Sequence, residues 1–282
     1  MKPKIAIVTD STSDIPAALA AERQIFVAPL HILWGGQDLL DGVDISREEF
    51  YRRLTTDPHH PTTSQPAPEE FADLFQRARD ATDASAVLAV TISAAISGTY
   101  NSAEQAARLV DFPVHLVDSR TTSGALGLLA LAIADLRDSG APVEQIVQQA
   151  REYVSRTRAI LTIDTLEFLH RSGRVSAARR WIGVLLQMKP ILYVNNGRLE
   201  ALEAVRTRNA ALTRMLELFN SWVDPHRPLH VAILYGDTPQ DADAYEAALK
   251  ERWNPAFIMK VIASSAVGVH TGPGAMGLTL FQ

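Results

Sequence analysis

The sequence predicts an α/β fold in two domains, a parallel-sheet α/β domain over residues 1–157 and a mixed-sheet α/β domain over residues 158–282. Three observations carry this. β-rich runs alternate with helical patterns through the first half. Asn195-Asn196-Gly197 separates two strand-like runs in the second. Short hydroxyl- and glycine-rich loops stand where apolar strands end. Alternation implies a parallel sheet covered on both faces, which needs strands that are apolar throughout. Asn-Gly between two strand-like runs is a strong hairpin signal. A chain of 282 residues is long enough for two domains and lies near the upper limit for a single core.

Taken in order, residues 4–9, 26–34, 86–92 and 114–118 read as strands. Helical patterns lie between and after them at 14–22, 46–55, 68–81, 97–110 and 121–138. Ser13 is placed to cap the first helix, and Pro68-Glu69-Glu70 puts proline and acids in the first turn of another. A helix at 142–157 leads to a strand at 159–163, then Asp164 and a short helix. Residues 190–206 form the predicted hairpin. A helix at 207–223, a strand at 229–235, a helix at 239–252 and strands at 257–263 and 276–281 complete the chain.

Composition excludes several functions. The chain is 47% hydrophobic and 21% charged, as in an ordinary globular protein. A net charge of −5 argues against non-specific nucleic-acid binding. Cysteine is absent, which removes disulfides, thiolate catalysis and cysteine-ligated zinc. The first residues run into Lys4-Ile5-Ala6-Ile7-Val8 without the pattern of a secretion signal, so a cytoplasmic location is expected. The longest apolar run, Gly124 to Ala134, has eleven residues, against about twenty for a membrane span.

The hydroxyl-rich loops are Thr9-Asp10-Ser11-Thr12-Ser13-Asp14, Thr62-Thr63-Ser64-Gln65-Pro66, Ser93 to Tyr100, and Asp118 to Ser123. Ligands of open α/β sheets bind at the carboxyl ends of the strands. Neutral donors gathered there suit a small polar head group, a carboxylate or a phosphate. Ser97, Gly98 and Thr99 open a helix after a strand, offering a hydroxyl and backbone N–H groups at the positive end of a helix dipole. An N-cap without a ligand is the plainer reading of Ser97, and turn chemistry before Pro66 is that of Thr63.

In order along the chain, these loops are followed by Leu-Glu-Phe-Leu-His-Arg-Ser-Gly-Arg-Val-Ser at 166–176, Lys189-Pro190-Ile191 and His270-Thr271-Gly272-Pro273-Gly274. Together they resemble the DegV family of bacterial fatty-acid-binding proteins, the acyl-carrying subunits of fatty acid kinase. The resemblance spans residues 4 to 280. It implies a two-domain α/β protein that encloses a long-chain fatty acid, such as palmitate, stearate or oleate. It also implies presentation of the carboxylate to a separate ATP-dependent kinase, which makes an acyl phosphate for phospholipid synthesis.

By the same resemblance Ser97 and Thr63 are carboxylate ligands, with Gly98 beside them and Ser93 and Thr62 as alternatives. His270, read as lying in a glycine-rich loop between two late strands, reaches the head-group region in relatives. Ala94 stands where relatives often carry a second serine. Arg174 is assigned to a polar network supporting the head group, and Arg171 to the C-terminal cap of a short helix ending at Gly173. Arg179 and Arg180 read as a solvated face or as a contact for an acidic kinase surface or anionic lipid. The small residues of the Gly124–Ala134 helix have two readings, a lining for the lipid tail or a tightly packed core helix.

Other signals fail. Gly272-Pro-Gly-Ala-Met-Gly277 matches a dinucleotide pattern but leaves five residues after it, no room for the required helix. There is no P-loop. Asp10, Asp14 and Asp118 are read as closing loops and capping a helix, not as magnesium ligands. The first alternative function is a serine acyl hydrolase using Ser97 and His270, although Ser97 lacks the Gly-x-Ser-x-Gly elbow. The second is a kinase subunit in which His270 bonds a small hydroxyketone.

Overall fold

The computed structural model describes residues 5–174 and 188–282. Arg179 and Arg180 lie outside the described residues. In chain order the elements are β1 (Ile5–Asp10), a 3-10 turn (Ser11–Ser13), α1 (Ala17–Glu22), β2 (Ile25–Ala28), β3 (His31–Trp34), β4 (Gln37–Leu40), α2 (Arg47–Leu54), β5 (Thr62–Ser64), α3 (Pro68–Thr82), β6 (Ala86–Thr91), α4 (Thr99–Ala106) and β7 (Val114–Asp118). They continue with α5 (Ser123–Asp138), α6 (Val143–Tyr153), a second 3-10 turn (Val154–Arg156), β8 (Thr157–Thr162), α7 (Glu167–Arg171), β9 (Lys189–Asn195), β10 (Arg198–Val205), α8 (Arg208–Asn220), β11 (His230–Tyr235), α9 (Pro239–Trp253), β12 (Phe257–Ile262), α10 (Ser265–Thr271) and β13 (Met276–Phe281).

Three sheets result. The first is parallel, in the order β2-β1-β6-β7. Every residue of β1 and β6 is buried, as strands covered on both faces must be. The second runs β10-β9-β8-β13-β11-β12 and is antiparallel except between β11 and β12. The fold class read from the sequence, a parallel sheet followed by a mixed one, is what the structure shows. The β9–β10 hairpin turns through Asn196 (φ 47°) and Gly197 (φ 80°), the two left-handed residues that an Asn-Gly hairpin turn requires.

The third sheet, β4-β3-β5, corrects the sequence reading. Residues 26–34 are two strands, not one. β2 ends before Pro29, the Leu30 N–H donates to Ser11 Oγ at 3.1 Å, and β3 leaves the parallel sheet to pair with β4 and β5. Two helix starts also move. Pro16, not Ser13, precedes α1, and Ser13 belongs to the 3-10 turn capped by Asp10. α4 spans Thr99–Ala106, shorter than 97–110, with Gly98 at its cap.

The elements stack in layers. α3 and α4 pack Phe71, Phe75 and Ala103 on the outer face of the parallel sheet. α5 and α6 cover its inner face, and α5 also touches the second sheet through Ala232, Leu234, Met259 and Val261. α8 and α9 cover the far face of that second sheet with Met215, Phe219, Tyr245 and Leu249. α5 is therefore shared between two sheets, and this decides between the two readings of its small residues. A Cβ on Gly124 would lie 2.5 Å from Ala232 Cβ, and one on Gly127 would overlap the Ser13 carbonyl oxygen. The glycines admit neighbouring protein, and α5 is a packed core helix.

That packing makes a prediction. Alanine normally improves a helix over glycine by about 1 kcal/mol, but Gly127→Ala should instead destabilise the fold by roughly 1–3 kcal/mol through overpacking. Gly277→Ala, whose Cβ would meet nothing nearer than 3.4 Å, should change stability by about 1 kcal/mol or less. Urea unfolding midpoints of the two variants test the contrast.

Candidate functional site

The site begins with α10, a segment expected to be a loop. Its N-terminal N–H groups are held by two buried carboxylates from the first part of the chain. Asp14 Oδ1 accepts from Ser264 N at 2.7 Å. Asp41 accepts from Ser265 N at 3.0 Å and Ala266 N at 3.4 Å. Helix N-termini leave such donors unpaired and favour negative charge. Burial raises the pKa of both carboxyls, and the Arg47 guanidinium opposes that rise. Arg47 also donates to the Ile262 carbonyl at 2.6 Å. Ala266 and Val269 pack α10 against Trp34, Phe50 and Tyr51.

At the other end of α10, His270 is set against β5. Thr63 Oγ1 and His270 Nε2 are 3.0 Å apart. His270 Nδ1 is buried with no hydrogen-bond partner among the described residues. Burial pushes the imidazole pKa down to about 4, helped by the positive charge of Arg174, so the ring is neutral at pH 7.

Thr63, Ser97, Arg174 and His270 all line one cavity of about 120 Å³. Much of the lining is apolar: Ile160 and Leu161 from β8, Val194 from β9, Val267 from α10, Ala275, and Met276 at the start of β13. Among the described lining residues Arg174 is the one that is formally charged, and none is Asp or Glu. Arg174 is exposed, not buried, and donates to the Ser172 carbonyl at 2.6 Å. A neighbouring pocket shares Thr63, Arg174 and His270 with this cavity and adds Thr62, Phe168 and Arg171.

The other expected residues are placed differently. In β5 Thr62 and Thr63 pair with successive residues of β3, so they point to opposite faces. Thr62 is exposed. Ser93 is fully buried, its hydroxyl accepts from Ala95 N at 3.2 Å, and it is not a lining residue. Gly98 faces the Gln65 amide, which a Cβ would approach to 3.1 Å. Ser97 N–H donates to Ser93 O at 3.1 Å, and Thr99 N–H to Ser97 Oγ at 3.3 Å. The loop thus consumes two N–H groups expected to face an anion. Ser97 Oγ and Thr99 Oγ1 are 2.8 Å apart. The described residues show no hydrogen bond between Ser97 and His270, the pair a hydrolase would use. Arg171 pairs with Glu167 and His60 in the last turn of α7, before Gly173 at φ 70°.

Thr12, Thr122 and Ser123, which belong to the hydroxyl-rich loops singled out in the sequence, also line the cavity, as does Tyr235, which sequence reasoning missed. Ser123 adopts φ 59° and donates its hydroxyl to Asp14, linking the start of α5 to the carboxylate that holds α10. Left-handed backbone is uncommon for serine, and no local residue pattern marks it. Asp10 accepts from Thr12 and Ile92, and Asp118 from Ala94 N and Arg120 N. Among the described residues no cluster suits a metal.

The depressed pKa of His270 has a signed consequence. The unfolded chain takes up a proton near pH 6.5 and the folded one near 4, so this group's contribution to stability is complete above pH 6.5 and is lost as pH falls toward 4. Asp10, raised by burial to about 6, acts in the opposite sense, its destabilising effect growing as pH rises from 3.8 to about 6. Comparing His270→Gln with the parent isolates the imidazole. The parent should lose up to about 3 kcal/mol more than the variant between pH 6.5 and 4, read from denaturant melts at each pH.

Comparisons with known proteins follow the same lines. The family model described as "Uncharacterised protein, DegV family" matches residues 4–282. A DegV domain-containing protein of Caldanaerobacter subterraneus is 36% identical over 276 residues, covering 98% of each chain. A solved DegV family protein of Thermus thermophilus, described by its fatty acid binding, superposes with a TM-score of 0.91 at 30% identity over 100% of both chains. A stearic acid-binding protein from Eubacterium ventriosum superposes with a TM-score of 0.90 at 26% identity, over 99% of this chain and 98% of that one. With the family model and its relatives matching over nearly its whole length, the chain belongs to the DegV family.

Proposed function

We propose that this protein binds one long-chain fatty acid and presents its carboxylate to a separate ATP-dependent kinase, which forms an acyl phosphate for phospholipid synthesis. The observation that carries the reading is the polarity of the cavity. Thr63, Ser97, His270 and Arg174 share the cavity with a largely apolar lining, and none of the described lining residues is acidic. Such a space suits an anion with a long apolar tail. The solved relatives described as fatty-acid- and stearic-acid-binding support the same ligand. On this reading the lipid lies between the domain of residues 1–157 and that of residues 158–282.

The tail supplies most of the affinity. A buried methylene is worth about 0.8 kcal/mol, so some fifteen contribute on the order of 12 kcal/mol before ordering costs. The head group is oriented by hydroxyls. With Nε2–H of neutral His270 donating to Thr63 Oγ1, the Thr63 hydroxyl hydrogen is left to donate to the carboxylate. Ser97 offers a second hydroxyl, and exposed Arg174 supplies positive charge where the head group meets solvent. The chain performs no bond-making step itself. It positions a nucleophilic carboxylate for a kinase that brings ATP, the advantage expected of a preoriented reactant. The carrier works in the cytoplasm and touches a membrane surface transiently. No helix among the described residues is long and apolar enough to cross a membrane.

Two measurements test this. Protein purified from a bacterial host should release fatty acid on solvent extraction, detected by mass spectrometry. Absence of lipid together with no binding of added palmitate or oleate would refute the assignment. Replacing Thr63 by Val and Ser97 by Ala removes hydroxyl donors to a charged acceptor, each worth roughly 1.5–3 kcal/mol in a dry site. Acyl-phosphate formation with a cognate kinase should fall further than fatty acid affinity, because the tail dominates binding. Wild-type turnover from the double variant would place the carboxylate elsewhere.

A further inference from the structure

A second cleft, of about 910 Å³, opens at the carboxyl end of β7 between the α6–β8 connection and the β9–β10 hairpin. It shares Ala159 and Val194 with the wall of the lipid cavity, but none of Thr63, Ser97, Arg174 or His270 lines it. Three arginines do: Arg120, Arg151 and Arg158. All three are exposed, and among the described residues none forms an ion pair. Exposed arginines of both kinds occur elsewhere: Arg52, Arg108, Arg171 and Arg227 each meet a carboxylate, whereas Arg77, Arg198, Arg206 and Arg252 form no ion pair among the described residues, so it is the convergence of three on one cleft that sets this place apart. Arg158 is fixed by bonds from Nη1 to the carbonyls of Ser155 and Thr157, both 2.7 Å. The acidic lining residue, Asp118, turns Oδ1 to the backbone N–H groups of Ala94 and Arg120 at 3.1 and 3.0 Å. Formal charge in the cleft is thus three positive against one negative, in a chain whose net charge is −5.

The geometry points to a second binding site here, for a soluble organic polyphosphate of the nucleotide class. Guanidinium groups are the preferred partners of phosphate oxygens because their donors match in pairs. The cleft is far larger than an orthophosphate needs and falls within the range of small-molecule sites. Tyr100, Tyr193 and Trp222 add aromatic surface to it, which a purely anionic ligand has no use for and a flat ring does. The backbone supports the assignment. Arg120 is held at φ 50°, an uncommon conformation for a residue with a side chain. The hairpin tip packs on it, where a Cβ on Gly197 would come within 3.4 Å of Arg120 Cα. The carboxyl ends of strands are where α/β sheets place their ligands. Lack of a P-loop excludes one way of holding phosphates, not this one.

The site is independent of the lipid assignment, and its test is read separately. Calorimetry of the full chain with ADP at low salt should show saturable binding that weakens at least tenfold when ionic strength is raised from 50 to 300 mM, as contacts to phosphate do. Adenosine and orthophosphate should each bind at least tenfold more weakly than ADP. Arg151→Ser combined with Arg158→Ser should lower ADP affinity tenfold or more while melting temperature and extractable fatty acid stay at parent values. Arg120 is left intact because the hairpin rests on it. No heat with ADP, unchanged affinity in the double variant, or displacement of ADP by added oleate would overturn the proposal. So would binding of phosphatidylglycerol vesicles without binding of ADP. If the double variant misfolds, Arg151→Lys and Arg158→Lys singly keep the charge and should each retain partial affinity; full retention by both would also overturn it.

Discussion

Two buried carboxylates at the start of α10 are the constraint on which the site depends. Asp14 and Asp41 come from the first forty-one residues of the chain, and the N–H groups they bind begin at Ser264. Removing a carboxylate from water is costly unless its lone pairs are used. Here the cost is offset by three backbone donors, the hydroxyl of Ser123 and the nearby Arg47 guanidinium. The same bonds satisfy donors that a helix N-terminus leaves open. One arrangement therefore fixes α10, and with it the ring of His270 at the other end of the helix.

The neutral state of that ring follows from the same burial. A protonated His270 would carry charge into a cavity that already faces Arg174 and would have no carboxylate to meet it among the described lining residues. As a neutral imidazole it leaves Thr63 with a defined partner and the described lining of the cavity with a single formal charge. The other ring nitrogen, Nδ1, is buried without a partner among the described residues. On the proposed function, head-group recognition rests on hydroxyl dipoles near one exposed cation, while the apolar walls provide affinity without direction.

The architecture also explains how one chain closes around such a cavity. α5 fills the space between the two larger sheets, and Gly124 and Gly127 let it approach both without clash. The β9–β10 hairpin reaches back across the gap and seats its tip on Ser93 and Arg120, loops at the carboxyl ends of β6 and β7. Ser93, named as an alternative to Ser97, is buried under this contact and is not among the described residues lining the cavity. The small β4-β3-β5 sheet does the corresponding work on the other side by carrying Thr63 to His270.

The sequence by itself determined the alternation of strands and helices, the apolar character of β1 and β6, the Asn196-Gly197 turn, and the ordered motifs that mark the family. These are local properties, set by side-chain periodicity, turn chemistry and loop composition within a few residues of one another. Tertiary structure decided that residues 265–271 are helical. Their segment, Ser-Ala-Val-Gly-Val-His-Thr, is rich in poor helix formers and is helical because carboxylates 250 and 224 residues away hold its first N–H groups. Tertiary structure also chose Thr63 over Thr62 as the partner of a histidine 207 residues away. It sent β3 out of the parallel sheet and gave the small residues of α5 to the core. Each of those outcomes depends on a neighbour brought close only by folding, and adjacent residues carry no signal of it.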